Sequence, residues 1–278
     1  MKKWIALLLA MVLCLSLAAC GSNNDNNNAN NTTDDQNTPA AGQEDNTQPS
    51  GEKQKLIVGF IAEDGSYDGF DLAMAKELCS RLGWDFEAVA IDWDTKDAEL
   101  KAGSINCIWN GFTCTGREEE YTWSDAYIDN SIVAIVRADS GIESLADLAG
   151  KTVMVQSASS GLDALTANEE LTASFGELVQ LPDYNTGFLE LRQGTVDAVV
   201  VDVGVGNYQI ANTKGDYVIL SEPVSVEQYA VGFYLGNEAL RDAVNEQLLA
   251  MAEDGTMMSI AEKYVDKGLS LDSLCLCK

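Results

Sequence analysis

The sequence predicts an α/β fold of two lobes that enclose a cleft. The first observation is a repeat: ELKAGSINCI at 99–108 returns as ELRQGTVDAV at 190–199, with similar residue types at nearly every position. In each copy a basic residue and a glycine end a helix, and a short, mostly β-branched apolar run follows, as expected for a strand in the middle of a parallel sheet that is covered on both faces. Two such units far apart in the chain indicate two lobes of similar design, although the repeat could also reflect only the common pattern of β-strands.

The polar residues that follow these apolar runs indicate where function lies. Asn110, Gly111 and Thr113 follow the first run, and Asp202 ends the second. Ligands of open α/β sheets bind outside the carboxyl ends of the strands. We therefore expect a binding site in the cleft between the lobes.

Hydrophobic periodicity predicts the other elements along the chain. Phe70–Leu82 is an amphipathic helix that ends at Gly83, and Ser160-Gly161-Leu162-Asp163 is a capping box at the start of a later helix. The predicted strands are 56–60, 86–91, 105–109, 132–136, 152–155, 196–201 and 229–235. The other predicted helices are 95–102, 145–148, 187–193, 238–254 and 257–264. Because the last strand would return to the first sheet, lobe 1 is predicted to comprise 54–134 and 229–278, and lobe 2 to comprise 135–228, joined by a hinge of two crossings.

The first 53 residues are predicted to lie outside the lobes. Two lysines and the apolar run 4–19 are typical of a secretory signal peptide, and the run is shorter than the roughly 20 residues that span a bilayer. Leu17-Ala18-Ala19-Cys20 resembles the lipobox of bacterial lipoproteins, which implies that Cys20 becomes a lipid anchor at the extracellular face of the cell membrane; the alternative is an ordinary secreted protein. Residues 20–53, rich in Asn, Asp, Thr and Gln, are predicted to form a disordered tether.

Composition excludes several classes of function. The net charge of −27 repels nucleic acid, so no nucleic-acid partner is expected. The sequence contains no histidine, which excludes Ser-His-Asp and Cys-His catalysis and removes the commonest metal ligand. The cysteines lack CxxC spacing, so no metal site is predicted. Cys79 and Cys107 could be buried apolar residues or could pair in an exported protein, and the Cys275-Leu276-Cys277 tail has no physical account.

Several short motifs, each weak alone, occur together in a known order. They are Gly69-Phe70-Asp71-Leu72, Ile91-Asp92-Trp93-Asp94, Asn110-Gly111-Phe112-Thr113 with Arg117, Trp123-Ser124-Asp125-Ala126-Tyr127, Val155-Gln156-Ser157 and the run from Asp197 to Asp202. Over about 55–265 the chain thus resembles the family 3 extracellular solute-binding proteins of polar amino-acid ABC importers. The resemblance implies a type II periplasmic-binding-protein-like fold and a monomer without catalytic residues, metal or cofactor. It also implies a polar amino acid as ligand and an ABC permease as partner.

The resemblance further implies a set of ligand-binding residues. Arg117 would grip the ligand's α-carboxylate and Asp202 its α-ammonium, which fits the planar fork of a guanidinium and the two charges of a zwitterion. Trp93 would pack on the ligand. The other implied contacts are Gly111, Thr113, Ser159 and Ser160, of which the serines stand at a helix start. With opposite charges on opposite lobes, ligand would favour closure of the cleft.

Each of these residues also has a purely structural interpretation. Arg117 could pair with Glu118 or Glu120 at the surface, and Asp202 could cap a loop. Trp93 could be a core aromatic, and the two serines could be plain helix caps.

One departure from the family pattern keeps other functions open. The connection 61–69 is short and lacks the usual aromatic cover for the ligand unless Tyr67 supplies it, so the site would be wetter and its charge contacts weaker. An enzyme on the same fold, a dehydratase or a lytic transglycosylase, would need a carboxylic acid in the cleft, and Glu63 or Glu118 are the candidates. A sensory or scaffold lipoprotein that binds no ligand is the third alternative.

Overall fold

Two sheets, surrounded by helices, make up the part of the chain that the computed structural model describes, residues 53–61, 67–213 and 215–278. The strands are β1 (Lys55–Phe60), β2 (Asp85–Ala90), β3 (Cys107–Ile108), β4 (Thr122–Trp123), β5 (Ile128–Arg137), β6 (Thr152–Gln156), β7 (Glu177–Leu181), β8 (Ala198–Asp202), β9 (Tyr217–Ile219), β10 (Ser225–Tyr229) and β11 (Gly232–Phe233). The α-helices are α1 (Phe70–Leu82), α2 (Lys96–Ala102), α3 (Ser160–Ala167), α4 (Glu169–Ser174), α5 (Tyr184–Gln193), α6 (Val203–Thr213), α7 (Glu238–Glu253) and α8 (Thr256–Ala261). Short 3₁₀ helices span Trp93–Thr95, Leu145–Leu148, Glu262–Lys267, Leu271–Ser273 and Cys275–Cys277.

The first sheet has the strand order β2-β1-β3-β11-β4. β1 runs parallel to β2 and β3, whereas β11 pairs antiparallel with β3 and β4. Alternate residues of β1 face opposite sides of the sheet. Leu56 and Val58 join the core that α1, α7 and α8 cover, and Ile57 packs with a second cluster around Trp93 and Ile108. The chain returns to this sheet only as β11, because Tyr229, the first residue of the predicted strand 229–235, ends β10 in the second sheet.

The second sheet has the order β10-β5-β8-β6-β7, and β9 also pairs with β5. Its central strand, β8, is antiparallel to β5 and parallel to β6. Ala198 and Val200 pack into one hydrophobic cluster, while Val199 and Val201 pack into another. The sheet is thus covered on both faces, as the continuous apolar run predicts.

The repeated helix-to-strand unit is present in both sheets. α2 ends at Gly103 with φ 75°, and α5 ends at Gly194 with φ 79°, so each glycine takes the left-handed conformation. β3 and β8 follow these glycines and lie inside their sheets. Each sheet is mixed, however, and the expectation of parallel sheets is wrong because β11 and β5 run antiparallel to the repeat strands.

Several predicted bounds differ from the structure for identifiable reasons. β5 is longer than predicted because different parts of it pair with β8, β9 and β10. β3 spans two residues instead of five, because Asn106 and Trp109 contribute only single backbone hydrogen bonds to β1. Helix α6 was not predicted because Gly204 and Gly206 lower its helix propensity.

The predicted capping box at Ser160 is wrong. Ser159 is the N-cap of α3, and its hydroxyl oxygen accepts from the Leu162 amide at 3.2 Å. The carboxylate of Asp163 binds Arg117 instead of the helix start. The N-terminus of α5 also begins earlier than predicted, because Asp183 caps it through the Thr186 amide at 2.8 Å.

Cys79 and Cys107 are buried in the core of the first sheet with free thiols.

The predicted lobe boundary at 134/135 falls inside β5, all of which lies in the second sheet, and the lobe ranges stay a prediction. The described residues include no helix long and apolar enough to cross a membrane. The predicted leader, Cys20 and the tether up to residue 52 lie outside the described residues.

Candidate functional site

A cavity of about 370 Å³ lies between the carboxyl ends of the repeat strands of the two sheets. Residues from both sheets and their helices line it. All seven residues implied as ligand contacts are among them: Trp93, Gly111, Thr113, Arg117, Ser159, Ser160 and Asp202. The strand-exit argument therefore leads to one place in the structure.

Asp202 ends β8 inside this cleft and is held by hydrogen bonds. Its Oδ1 accepts from the Asn130 amide at 2.8 Å and from the Tyr229 hydroxyl. Burial raises the pKa of Asp202, while these donors favour its charged form. The carboxylate lies in a polar cluster at the carboxyl end of β8 and directly precedes helix α6, so the capping interpretation stays open beside the binding one.

Arg117 follows β3 and points toward the other lobe. Its side chain is 10% exposed, its guanidinium lies 5.7 Å from the centre of the Phe112 ring, and its Nη2 donates to Asp163 on α3 at 2.6 Å. The indole of Trp123 fixes the backbone by donating to the Arg117 carbonyl at 2.9 Å. The alternative pairing with Glu118 or Glu120 is therefore not observed; Arg117 forms an ion pair that bridges the lobes.

Trp93 is both a packed aromatic and a wall of the cleft. It meets Phe112 edge to face, with ring centroids 5.5 Å apart. The ammonium of Lys96 lies 5.2 Å from the centre of the Trp93 ring and donates to the Ala158 carbonyl at 3.3 Å. Burial lowers the pKa of Lys96. Trp93 is thus a packed core aromatic and a cleft-lining residue at the same time.

The turn at Gly111 and Thr113 is shaped by neighbouring side chains. Gly111 has φ 58°, and its amide donates to Asp71 at 2.7 Å; an added Cβ would come within 3.3 Å of the Tyr229 ring. Burial raises the pKa of Asp71 to about 6. The Thr113 hydroxyl donates to Glu227 at 2.7 Å. Much of the hydrogen-bonding capacity of this turn is therefore used inside the protein.

The two serines at the start of α3 have different roles. Ser159 caps the helix and donates to the Gln156 carbonyl at 2.7 Å, which fits its structural interpretation. The Ser160 hydroxyl faces the first lobe, 3.2 Å from that of Thr113. Ser160 is thus the serine that joins the polar groups at the cleft floor.

The C-terminal segment forms a wall of the cavity that the sequence did not predict. Tyr264, Lys267, Gly268 and Leu269 line the cleft, and the Tyr264 hydroxyl and Lys267 ammonium both bind Asp68. Gly268 has φ 93°, and a Cβ there would come within 2.7 Å of helix α6. This segment therefore contacts both lobes beside the short connection 61–69, of which 62–66 lie outside the described residues.

Sequence reasoning also missed Asn130 and Glu227. They are paired across β5 and β10, and residues 97 positions apart in sequence meet there only because of strand register. Nothing local marks Glu227 as buried, since its neighbour Val226 is the exposed residue of the strand. No strand was predicted over 225–228, so the sequence offered no signal for a buried carboxylate there.

Several polar contacts among the described residues join the lobes at the cleft. Besides Arg117 with Asp163 and Thr113 with Ser160, Ser157 donates to Asp94 at 2.9 Å, and Lys96 binds Ala158. The lobes therefore touch across the cleft. No group of three or more His, Cys, Asp and Glu within the described residues could hold a metal ion.

A family model described as bacterial extracellular solute-binding proteins, family 3, matches residues 54–267. The chain belongs to this family. This solute-binding protein is 26% identical over 276 residues to the arginine-binding extracellular protein ArtP of Bacillus subtilis, covering 95% of the chain and 98% of that relative. It is 28% identical over 228 residues to the L-cystine-binding protein TcyJ of Escherichia coli, covering 77% of the chain and 83% of that relative.

A solved structure supports the same assignment for this family 3 protein. An ABC uptake transporter substrate-binding protein from Streptococcus pneumoniae with bound histidine superimposes with a TM-score of 0.73 at 29% identity, covering 78% of this chain and 94% of that one. The predicted family and the two-lobe α/β fold with a cleft are confirmed. The chain is an extracellular solute-binding protein.

Proposed function

We propose that the cleft captures a polar amino acid for an ABC importer, with Asp202 holding the α-ammonium and Arg117 the α-carboxylate. The observation that carries the proposal is that these opposite charges come from opposite lobes and line one cavity. A zwitterion can contact both only when the lobes are close, so ligand stabilises the closed form. The 370 Å³ of the cavity lies within the roughly 300–1,000 Å³ of ordinary ligand pockets.

The partners of the two charges fit these roles. Of the donors of Arg117, the described residues occupy Nη2 through Asp163, which leaves donors for a carboxylate. Asp202 accepts from neutral donors, Asn130 and Tyr229, so no described cation neutralises it. An ammonium would supply the compensating charge that a buried carboxylate lacks. The relatives named for arginine, cystine and histidine make these three the first ligands to test.

Glu118, the candidate acid of the competing enzyme that lies among the described residues, does not line the cavity. Glu118 is exposed, and its carboxylate accepts from the Gly116 amide at 3.0 Å, away from the cavity. Glu63 lies outside the described residues. The scaffold alternative differs from the proposal in a single measurable way, the absence of any ligand-induced stabilisation.

A thermal-shift screen tests the proposal. The chain from Gly21 onward is heated with each of the twenty amino acids, cystine and ornithine. A ligand at a hundred times its dissociation constant adds about 2.7 kcal/mol, which is roughly 5 to 10 °C for a protein of this size. We expect at least one amino acid to give this shift.

A matched pair of variants assigns the shift to the site. Asp202→Asn should abolish it, because the amide keeps the shape but not the charge. Asp197→Asn should retain it, because Asp197 lies on the same repeat unit but binds the Thr152 amide outside the cleft. No shift with any compound, or equal shifts in both variants, would reject the zwitterion site.

We also propose that Cys20 is lipidated, that the chain is held at the cell membrane and that it acts as a monomer. The Leu17-Ala18-Ala19-Cys20 motif supports the anchor. Cys20→Ala should release the protein into the medium, as judged by immunoblotting of cells and supernatant. Retention of that variant on cells would contradict the anchor, and light scattering of the soluble chain measures its oligomeric state.

A further inference from the structure

Behind the cleft floor, Glu227 is a buried carboxylate that joins both lobes. Only 7% of the residue is exposed. Its Oε1 accepts from the Thr113 hydroxyl at 2.7 Å, the Asn130 amide at 2.8 Å and the Ser160 hydroxyl at 3.3 Å. Thr113 follows β3 in the first sheet, whereas Asn130 and Ser160 belong to the second lobe, so one oxygen gathers donors from both.

Asn130 couples Glu227 to the charge proposed for the ligand's ammonium. The same Asn130 amide nitrogen donates to Glu227 Oε1 and to Asp202 Oδ1, each at 2.8 Å. The titratable groups that face Glu227 are Asp202 on β8, Cys114 in the turn after β3 and Tyr229 on its own strand; β5 and α3 present the neutral Asn130 and Ser160. Two carboxylates that share a donor, with no cation among these groups, cannot both ionise easily.

Neutral donors reach both carboxylates, two at Asp202 and three at Glu227, so burial and mutual repulsion require that the pair holds one proton. Asp202 receives the Tyr229 hydroxyl and the Asn130 amide, and a hydrogen bond from Glu227 further favours its charged form. Burial and the negative charge of Asp202 raise the pKa of Glu227 to about 7. The repulsion from Asp202 thus favours the protonated form of Glu227.

We propose that Glu227 is a positioning residue that keeps its proton until an ammonium group occupies Asp202, so that ligand capture releases a proton to the solvent. The inference rests on the proposed function, since it needs a cation at Asp202. The incoming charge compensates Asp202, the O–H bond of Glu227 breaks, and the proton passes to water or buffer. The ionised Glu227 then binds Thr113 and Ser160 by stronger, charge-assisted hydrogen bonds, which hold the two lobes together.

The direction of the pH effect follows from proton counting. The liganded protein holds fewer protons on Glu227 than the free protein, so affinity rises with pH and is lost as pH falls below about 7. If ligand binding releases the whole proton from Glu227, the affinity at pH 6 should be about tenfold lower than at pH 8. The chain has no histidine that would titrate in this range. Asp71, with its pKa raised to about 6, is the cleft carboxyl that must be controlled.

Isothermal titration calorimetry at pH 6, 7 and 8, in buffers of different ionisation enthalpy, tests the inference. The probe is the amino acid with the largest thermal shift, with L-arginine or L-glutamine preferred because neither titrates in this range. Wild-type protein should show the tenfold change and release about half a proton or more per ligand at pH 7. Glu227→Gln, which keeps the size and an acceptor oxygen, should bind equally at all three pH values and release none.

Two further variants separate positioning from folding. Glu227→Leu removes the hydrogen bonds and should weaken binding most, whereas the glutamine variant keeps them in neutral form and should bind more tightly than the leucine variant but, because it cannot ionise, more weakly than wild type at every pH. Asp71→Asn should retain the pH dependence. Binding that needs Asp202 but does not vary with pH, or a pH dependence that survives in Glu227→Gln or vanishes in Asp71→Asn, overturns the role of Glu227 and leaves the proposed function intact. Failure of wild type to bind any amino acid rejects both.

Discussion

In both copies of the repeated unit, the hydroxyl after the helix-ending glycine binds the same place in the helix. Ser104 donates to the Glu99 carbonyl and Thr195 to the Glu190 carbonyl, each at 3.0 Å, and each hydroxyl also reaches the glutamate side chain. Two residues on, the copies again agree. The side chain of Asn106 accepts from the amide of Ile57 at 2.8 Å, and that of Asp197 accepts from the amide of Thr152 at 3.0 Å.

The copies diverge only where their strands end. The first continues into a turn that carries Arg117, and the second ends at Asp202 and enters α6 directly. A cationic group and an anionic group thus occupy corresponding edges of two similar scaffolds. The comparison separates residues that build the repeated unit from residues that follow the end of its strand, here called its exit. Substitutions can test that separation.

The largest effect is expected at an exit. Arg117→Ala should weaken amino-acid binding by at least about a hundredfold, or roughly 2.7 kcal/mol, because the ligand carboxylate loses its charged partner. Titration calorimetry measures the loss. Arg192→Ala, which removes the last-turn arginine of α5 in the second scaffold, is the control and should leave affinity unchanged. Similar affinities for Arg117→Ala and wild type would show that the exit does not carry the charge function.

A smaller effect on stability is expected at the scaffold pair. Asn106→Ala and Asp197→Ala should each lower the free energy of unfolding by about 1 to 2 kcal/mol, because a backbone amide loses its acceptor. Urea denaturation measures the change. Asp139→Ala, at a side chain 89% exposed, is the control and should change stability by less than about 0.5 kcal/mol. Strong loss of ligand affinity in either scaffold variant would contradict the division between scaffold and exit.

The smallest effect is expected at the helix-ending glycines. Gly103→Ala and Gly194→Ala should each lower the free energy of unfolding by about 1 kcal/mol, because alanine is strained at positive φ while neither site is crowded. Gly204→Ala should instead raise the free energy of unfolding by up to about 1 kcal/mol, because Gly204 is a helical position with open space around it. Thermal denaturation compares the three. Unequal costs at Gly103 and Gly194 would mean that the copies are less alike than their hydrogen bonds indicate.

The sequence predicted features whose signals are local. Helix ends at Gly83, Gly103 and Gly194, the apolar runs of the repeat strands and the polar residues after them follow from neighbouring residues in the chain. Because strand ends meet at one edge of each sheet, the polar residues that follow the repeat strands could be assigned to one cleft from the sequence. The family motifs added the roles that local patterns cannot distinguish.

Features that depend on distant pairing could not be predicted. Glu227 meets Asn130 only through the register of β10 on β5, and hydropathy would bury Val226 in place of Glu227. The predicted capping box at Ser160 would need the carboxylate of Asp163, which instead binds Arg117, a residue of the other lobe. The wall from Tyr264 to Leu269 is placed by α8 packing on α1, which short-range periodicity does not reveal.

The weakness of the polar contacts between the lobes affects which form of the protein would dock on a transporter. The ion pair of Arg117 joins a buried guanidinium to Asp163, whose side chain is 62% exposed, so solvent on the Asp163 side screens the attraction and limits it to about 1 kcal/mol. The protein's own contacts therefore favour closure only weakly, and a bound zwitterion must supply most of the bias between open and closed forms. A permease that recognises the closed form would then bind mainly receptors that carry a ligand, and receptors without ligand would rarely compete for the same surface.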